Sequence, residues 1–430
     1  MSLSACSVRV CHPFGNPNAY NAAIGFLEAG SLVQFHTSLY RPLGVRKRFH
    51  PQLPGRAVTA HPAWEVARLA ATQLPMASWN GRRQWFVDFV TSRFDQKTAA
   101  ALREADGAVF CYEDSALATF QRAQSLGIAR IYDLPTLHYR ELQRIFAHET
   151  GKHPELVPYF QSLHEPAAKL DRKDQELMSA DVIVVASTLV RRSIEDFLKP
   201  KAQFVVVPYG SDTSRGARTW TRDDEKGPLR LFFAGVLKPG KGLHTLFEAL
   251  SRLSPAQYHL SLAGRWIPGF REWLDKRYSV KYEWLGQLTH DAVYGACRRS
   301  HVFVFPSLAE GFGLVILEAM ASGIPVVASD HTAGPDVIDE GVDGWVVPAG
   351  DSGALSSCLA RIMDQRADLP EFGRAARRKA ETLDWSKYRK QLRENVFAAL
   401  AQNGAHGNLD SRCCAHYSQS NNSLSRICDV

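Results

Sequence analysis

Two glutamates, Glu310 and Glu318, bracket a glycine-containing stretch in the segment EGFGLVILE. Gly311 and Gly313 have no side chain to keep a ligand away from the backbone. The free N–H groups at the start of the following predicted helix suit a phosphate or diphosphate. A carboxylate accepts hydrogen bonds from vicinal hydroxyls, so a ribose suits Glu318 and a sugar suits Glu310. The pattern matches neither the dinucleotide motif GxGxxG nor a phosphate-binding loop with GK[ST]. The glycines and the two glutamates together indicate a ligand that has both phosphate and sugar hydroxyls.

The position of Glu318 raises a question of its own, because apolar residues precede and follow it in the predicted helix. A carboxylate that is buried without a partner costs several kcal/mol or more. Glu318 must therefore be paired, neutral or exposed. A ligand hydroxyl is one partner, and an internal salt bridge or an exposed position is the alternative.

The elements that would position these residues follow from a repeated alternation of short β-branched strands and amphipathic helices. This alternation predicts an α/β fold with two doubly wound parallel sheets. Ligands of such sheets bind beyond the carboxyl ends of the strands, which is where Glu310 follows the predicted strand HVFVFPS. The predicted divisions are a first domain at 1–208, a linker at 209–228, a second domain at 229–385, a C-terminal helix at 386–401 and a disordered tail at 402–430.

Composition limits the partners and the compartment. The 430 residues carry a formal net charge of +7, which is mild for this length and does not require nucleic acid. No apolar run approaches the roughly 20 residues of a membrane helix, and no signal peptide is evident. The eight cysteines lack a repeated CxxC spacing. We therefore expect a cytoplasmic protein with no nucleic-acid partner.

The segment 41–56, RPLGVRKRFHPQLPGR, concentrates five arginine and lysine residues with three prolines. The simplest interpretation is a solvated basic loop. The alternative is peripheral contact with the inner face of a membrane, or with an anionic acceptor.

The motif EGFGLVILE resembles the Glu-x7-Glu signature of the retaining, nucleotide-sugar-dependent glycosyltransferases of family 4. That family has the GT-B fold, in which two Rossmann-like domains face each other across a cleft and a C-terminal helix packs back toward the first domain. The segments FFAGVLKPGKGLHTLFEAL and SGIPVVASDHTAGPDVIDEGVDGWVVPAGD are also similar to the family. The first half is similar more loosely, through HPFGNPN, DLPTLHYR and VVVPYGSD.

The resemblance implies a glycosyltransferase of hexosyltransferase type that moves a sugar from a nucleoside-diphosphate sugar to a hydroxyl acceptor in polysaccharide, lipopolysaccharide or glycolipid assembly. Glu318 would bind the ribose and Glu310 the transferred sugar. Lys241 would neutralise the leaving diphosphate, a charge that grows in the transition state. The sugar and the diphosphate would face four backbone amides, those of Gly311, Phe312, Gly313 and Leu314.

Further site residues follow from the same resemblance. Gly15 and Asn16, after the first predicted strand, correspond to a loop near the donor phosphate. His138 corresponds to a histidine beside the transferred sugar, although a lone histidine is more often structural. Gln287 and Leu288 lie where backbone groups would contact the base.

One position departs from the family pattern. Many members have an arginine where this chain has Val236, and Lys238 is a candidate for the second positive charge. The chain has no Asp-x-Asp triplet and no His/Cys spacing typical of a metal site. We expect a retaining, metal-independent transferase without cofactors. The alternative is a catalytically weak nucleotide-binding or scaffold protein with the same fold.

Overall fold

Two parallel β-sheets with helices on both faces make up a computed structural model of the chain. The structure describes residues 6–40, 50–71, 80–221, 224 and 226–405. Each half of the chain contributes one sheet, so the predicted α/β class with two doubly wound domains is confirmed.

The first sheet has seven strands in the order β3-β2-β1-β4-β5-β6-β7. The strands are β1 (Val8–Cys11), β2 (Leu32–Thr37), β3 (Val58–Ala60), β4 (Ala108–Tyr112), β5 (Ala129–Leu134), β6 (Val182–Val185) and β7 (Gln203–Val206). The helices are α1 (Pro17–Glu28), α2 (Pro62–Ala71), α3 (Asn80–Ala101), α4 (Leu117–Ser125), α5 (Tyr139–Lys152), α6 (Ala167–Ser179) and α7 (Thr188–Glu195).

The second sheet has six strands in the order β10-β9-β8-β11-β12-β13. The strands are β8 (Leu229–Ala234), β9 (Tyr258–Ala263), β10 (Tyr282–Trp284), β11 (Val302–Phe305), β12 (Val326–Ser329) and β13 (Gly344–Val347). The helices are α8 (Leu243–Leu250), α9 (Phe270–Arg277), α10 (His290–Arg299), α11 (Leu314–Ala321), α12 (Gly334–Val337), α13 (Ser352–Asp364), α14 (Leu369–Thr382) and α15 (Trp385–Ala405).

The central strands read as continuous apolar runs because helices cover both faces of each sheet. All four residues of β1, β6 and β11 are buried. Phe303 of β11 lies opposite Phe232 of β8, and both are fully buried. The pairing of β8 with β11 also brings the loops that follow these two strands to the same edge of the sheet.

The C-terminal helix α15 returns to the first domain. Its Arg389 donates to Asn21 of α1 through Nη1 at 2.9 Å and pairs with Glu28 through Nε at 2.9 Å. A Cβ on Gly25 would lie 3.0 Å from the Arg389 carbonyl oxygen, so the two helices are in close contact. The predicted return of the C-terminal helix is confirmed. The helix continues to Ala405, so the prediction of disorder is wrong for 402–405.

The predicted linker 209–228 is partly packed against the domains. Tyr209 is buried, and its ring lies 5.7 Å from that of Tyr388 on α15. Arg218 donates to the Arg298 carbonyl of the second domain.

Residues 41–49 of the basic loop and residues 406–430 of the predicted tail lie outside the described residues. Within the described part of the chain, no helix combines the length and apolar character that crossing a bilayer needs.

Candidate functional site

The loop between β11 and α11 lies at the contact between the two domains. A Cβ on Gly311 would fall 1.8 Å from the Pro135 carbonyl oxygen of the first domain, so only glycine fits there. Ser187, at the start of α7, donates through Oγ to the Gly311 carbonyl at 2.6 Å. The first domain therefore holds the backbone of this loop in place.

The backbone amides of this loop are the clearest chemical feature of the site. Gly311, Phe312 and Gly313 are buried, and none of their N–H groups, nor that of Leu314, donates to another group of the described protein. Gly313 adopts a left-handed φ of 88° before the first turn of α11. Buried N–H groups without partners are rare, and an anion at a helix N-terminus satisfies them.

Lys241 forms an ion pair with Glu310 beside this loop. The two meet because the backbone at Gly242 passes very close to that at Pro306. A Cβ on Gly242 would lie 1.7 Å from the Pro306 carbonyl oxygen, so a larger residue would not fit. The chain after β8 thus packs directly on the chain after β11. Two residues that are 69 positions apart in sequence become neighbours through strand pairing.

Lys238 adds a second positive charge close to Lys241. Burial lowers the pKa of Lys241 to about 7, and repulsion by Lys238 contributes to that shift. The Glu310 carboxylate acts in the opposite direction, because an adjacent anion favours the ammonium. Burial also lowers the pKa of Lys238. Val236, which stands where many family members have an arginine, is 38% exposed and supplies no charge.

Glu318 lies on the partly exposed face of α11 rather than in the core. Its Oε1 is 2.6 Å from Nε2 of His290, the first residue of α10. The Glu318 side chain is 14% exposed, whereas that of His290 is 54% exposed. The sequence alone did not point to His290, whose only local signal is its position after the N-cap residue Thr289.

Gln287 and Leu288 lie in the turn that joins β10 to α10, just ahead of His290. Gln287 is exposed and Leu288 is half-buried. The structure therefore brings the predicted base-contacting segment to the same helix terminus that contacts Glu318.

Gly15 and Asn16 form the turn after β1. Gly15 has a φ of 57° and donates its N–H to Nδ1 of His12 at 3.1 Å. Asn16 caps α1 by accepting from the Ala19 N–H at 2.9 Å. The cap gives Asn16 a structural role, and its predicted contact with the donor stays a prediction.

His138 is held inside the first domain. Its Nε2 lies 3.1 Å from Oδ1 of Asp174, and its Nδ1 accepts from the Arg140 N–H at 3.4 Å. Burial lowers the pKa of His138, and the bond to Asp174 opposes that shift. Because both ring nitrogens have partners, the side chain as folded caps α5 and would have to exchange a partner to contact a sugar.

A further group of potential metal ligands lies at the domain contact, although the sequence has no His/Cys spacing typical of a metal site. Glu149 and His153 come from the end of α5, and His244 comes from α8. One ligand atom from each lies within 4.8 Å of the others. The four-residue spacing from Glu149 to His153 was visible in the sequence, but the approach of His244 depends on the tertiary structure.

Comparison with known proteins identifies sequences related to the second half of the chain. A family model described as "Glycosyl transferases group 1" matches residues 228–365. Glycogen synthase of Mycobacterium tuberculosis is 27% identical over 272 residues, which are 61% of this chain and 62% of that protein. Phosphatidyl-myo-inositol mannosyltransferase of Mycobacterium leprae is 32% identical over 185 residues, or 42% of this chain and 48% of that protein. The chain thus spans less than two thirds of the curated relatives that it matches.

Solved structures show the fold over nearly the whole chain. Sucrose-phosphate synthase from Thermosynechococcus elongatus has a TM-score of 0.66 at 18% identity, covering 91% of this chain and 99% of that one. Anabaena HepE in complex with UDP and glucose has a TM-score of 0.61 at 15% identity, with the same coverage. The two sheets and their connections therefore have the GT-B architecture. Residues 228–365 form a domain of the group 1 glycosyl transferases.

Proposed function

We propose that this chain transfers a sugar from a nucleoside-diphosphate sugar to a hydroxyl acceptor, with retention of configuration and without a metal ion in the chemical step. The observation that carries the proposal is the run of amides from Gly311 to Leu314 without protein partners, next to Lys241 and Glu310. This arrangement offers hydrogen bonds and positive charge to a diphosphate and a carboxylate to a sugar.

The ion pair between Lys241 and Glu310 suggests how the site changes when the donor binds. The diphosphate competes with Glu310 for the Lys241 ammonium, and the released carboxylate then accepts from hydroxyls of the sugar. The Lys241 ammonium then stabilises the negative charge that grows on the diphosphate oxygen as its bond to the anomeric carbon breaks. The loop amides and the positive charges of Lys241 and Lys238 thus stabilise the diphosphate, as a metal ion does in other transferases.

Retention is supported by the Glu-x7-Glu resemblance. In the proposed reaction, the acceptor oxygen bonds to the anomeric carbon on the face from which the diphosphate leaves. The acceptor proton passes to the leaving phosphate oxygen, so no protein nucleophile is needed. Glu318 lies next to the exposed His290 and would accept from the ribose hydroxyls of the donor after that side chain moves aside.

The relatives support the substrate classes without fixing them. One relative is named for mannose transfer to phosphatidyl-myo-inositol, and one structural neighbour binds UDP and glucose. We propose a glycan or lipid-linked acceptor, with action in the cytoplasm or at the inner face of a membrane through the basic segment 41–56.

The test is to offer the purified protein a panel of nucleotide sugars in the presence of a chelator. We expect at least one donor to be hydrolysed slowly or transferred, and its nucleoside diphosphate to raise the unfolding temperature. The configuration of the product is read by NMR spectroscopy. Failure of every nucleotide to bind would refute the proposal, and inversion would refute the retaining mechanism alone.

The alternative is a nucleotide-binding protein with weak or no catalysis, which the uncharged side chain of Val236 favours. Nucleotide binding without hydrolysis or transfer for any donor and acceptor in the panel would select this alternative. Introducing Val236→Arg would then be expected to raise affinity for the diphosphate, because it restores a cation at that position.

A further inference from the structure

Three potential metal ligands from both domains meet away from the glycine loop. His244 is buried on α8 of the second domain, and its Nε2 lies 2.7 Å from Oε1 of Glu149 on α5 of the first domain. His153, at the end of α5, places Nε2 3.9 Å from the same carboxylate oxygen. The side chains of Glu149 and His244 are only 4% and 1% exposed.

The hydrogen bonding of this group is incomplete. Neither Nδ1 of His153 nor Nδ1 of His244 has a hydrogen-bond partner among the described residues, although both atoms are buried. The 3.9 Å between His153 and Glu149 is too long for a hydrogen bond. It is close to the spacing of about 3.3 Å between two ligand atoms on one tetrahedral zinc ion with bonds of about 2.0–2.1 Å.

We propose that Glu149, His153 and His244 bind a zinc-class divalent ion that bridges the two domains. Two imidazoles and one carboxylate are a ligand set that zinc accepts, with one position left for water. Glu149 and His244 already touch, so their ligand atoms must separate slightly to admit the ion. A groove of about 660 Å³ lined by His153 and Lys152 gives solvent a route to the site.

Lys152 places a positive charge that opposes a dication close to the group, since its Nζ lies 3.8 Å from Oε2 of Glu149. Its side chain is 46% exposed, so it can turn into solvent when an ion enters. A variant without Lys152 should therefore bind the metal more tightly, whereas a variant without a ligand should bind it more weakly.

The bridging ion would act on the arrangement of the domains rather than on the transfer step. Helix α8 begins two residues after Lys241, and Glu149 belongs to the helix that His138 caps. An ion held by both helices would tie the second domain's Lys241 segment to the first domain. Transfer chemistry in the chelated protein would continue, so this inference stands or falls separately from the proposed function.

The first experiment titrates the full chain with Zn²⁺ by calorimetry, in a background with Cys413→Ser, Cys414→Ser and Cys428→Ser that removes the thiols outside the described residues. We expect one saturable site and a higher unfolding temperature with Zn²⁺. Co²⁺ should give the intense visible absorption of four- or five-coordinate cobalt, which octahedral aqueous Co²⁺ lacks.

Four variants in the same background identify the ligands. His153→Ala and His244→Ala should each weaken Zn²⁺ binding by at least about tenfold, since even the loss of an outer partner of a ligand has that effect. Lys152→Met should strengthen binding. His148→Ala is the matched control, because His148 is an exposed histidine on the same helix outside the group.

No saturable Zn²⁺ binding by the parent protein would overturn the proposal. So would binding that His153→Ala and His244→Ala leave unchanged. In either case Glu149 and His244 form only a direct hydrogen bond between the domains.

Discussion

The carboxyl edges of the two sheets use charge in opposite ways. At the end of β4 in the first domain, Glu113 and Asp114 pair with Lys173 of α6, and Asp114 also pairs with Arg172 at 3.0 Å. At the matching edge of the second domain, Lys241 pairs with Glu310 beside backbone amides that no protein group uses. The charges after β4 are paired within the protein, whereas the loop after β11 keeps hydrogen-bonding capacity for a ligand.

Electrostatics support the same distinction. Attraction to Glu113 and Asp114 outweighs burial and raises the pKa of Lys173, which therefore stays charged. Burial and Lys238 lower the pKa of Lys241, so its ammonium loses its proton more easily. An anion that binds beside Lys241 raises that pKa again and keeps the ammonium charged. Dense charge near a sheet edge is therefore a weaker sign of function than hydrogen-bond groups without a protein partner.

The largest expected effect is on stability, at the first edge. Lys173→Met removes the buried cation that the partly buried Glu113 and Asp114 share and should lower the free energy of unfolding by about 3–5 kcal/mol. Lys241→Met should lower it by less, because burial opposes the charge on Lys241 in the folded protein and its removal offsets part of the lost ion pair. Urea denaturation measures both, and equal losses would show that the two edges do not differ.

The second prediction concerns turnover at the second edge. Lys241→Met should reduce kcat by about 10²–10³-fold, the usual effect of removing one group that stabilises transition-state charge. Lys276→Met removes an exposed lysine from α9 and is the matched control. Steady-state kinetics with the identified donor give the answer. A comparable loss in both variants would mean that net charge alone is responsible.

A third experiment separates the two glutamates. Glu318→Ala should weaken nucleoside diphosphate binding by about 10- to 100-fold, through loss of hydrogen bonds to a charged acceptor. Glu310→Ala should mainly lower kcat, since its proposed partner is the sugar. Calorimetry and kinetics distinguish the two effects. If both variants merely unfold more easily and bind normally, the division of roles is wrong.

The smallest effect is the dependence on pH. Lys241 is protonated below its pKa and loses its charge as the pH rises, so kcat/KM for the donor should fall above about pH 7, approaching tenfold per pH unit. Lys241→Arg keeps its charge to above about pH 12 and should remove this fall. Glu310→Gln removes the opposing anion and should move the midpoint to lower pH. A profile that Lys241→Arg leaves unchanged would assign the titration to another group.

Local signals in the sequence were sufficient for the fold and for part of the site. Alternating strands and helices predicted both sheets, and Gly311 and Gly313 indicated a stretch of backbone that a ligand could approach. The apolar strands were readable because burial on both faces demands continuous apolar runs. The domain boundaries, the metal independence and the roles of the site residues remain predictions.

Three features depended on the tertiary structure. The partner of Glu318 in the protein is His290, which lies 28 residues away and meets it only because α10 and α11 lie side by side. Nε2 of His138 is occupied by Asp174, which lies 36 residues away and is revealed by no sequence spacing. His244 reaches Glu149 only because the domains are in contact.

By itself, the sequence determined which chemical groups are available: the two glutamates, the glycines between them and Lys241. The elements that carry these groups could be predicted because hydrophobic periodicity and turn residues act over only a few positions of the sequence. Only the tertiary structure decided which groups have protein partners and which do not, because strand pairing and domain contact bring distant residues together. That decision separates the self-paired charges after β4 from the unpaired amides between Glu310 and Glu318.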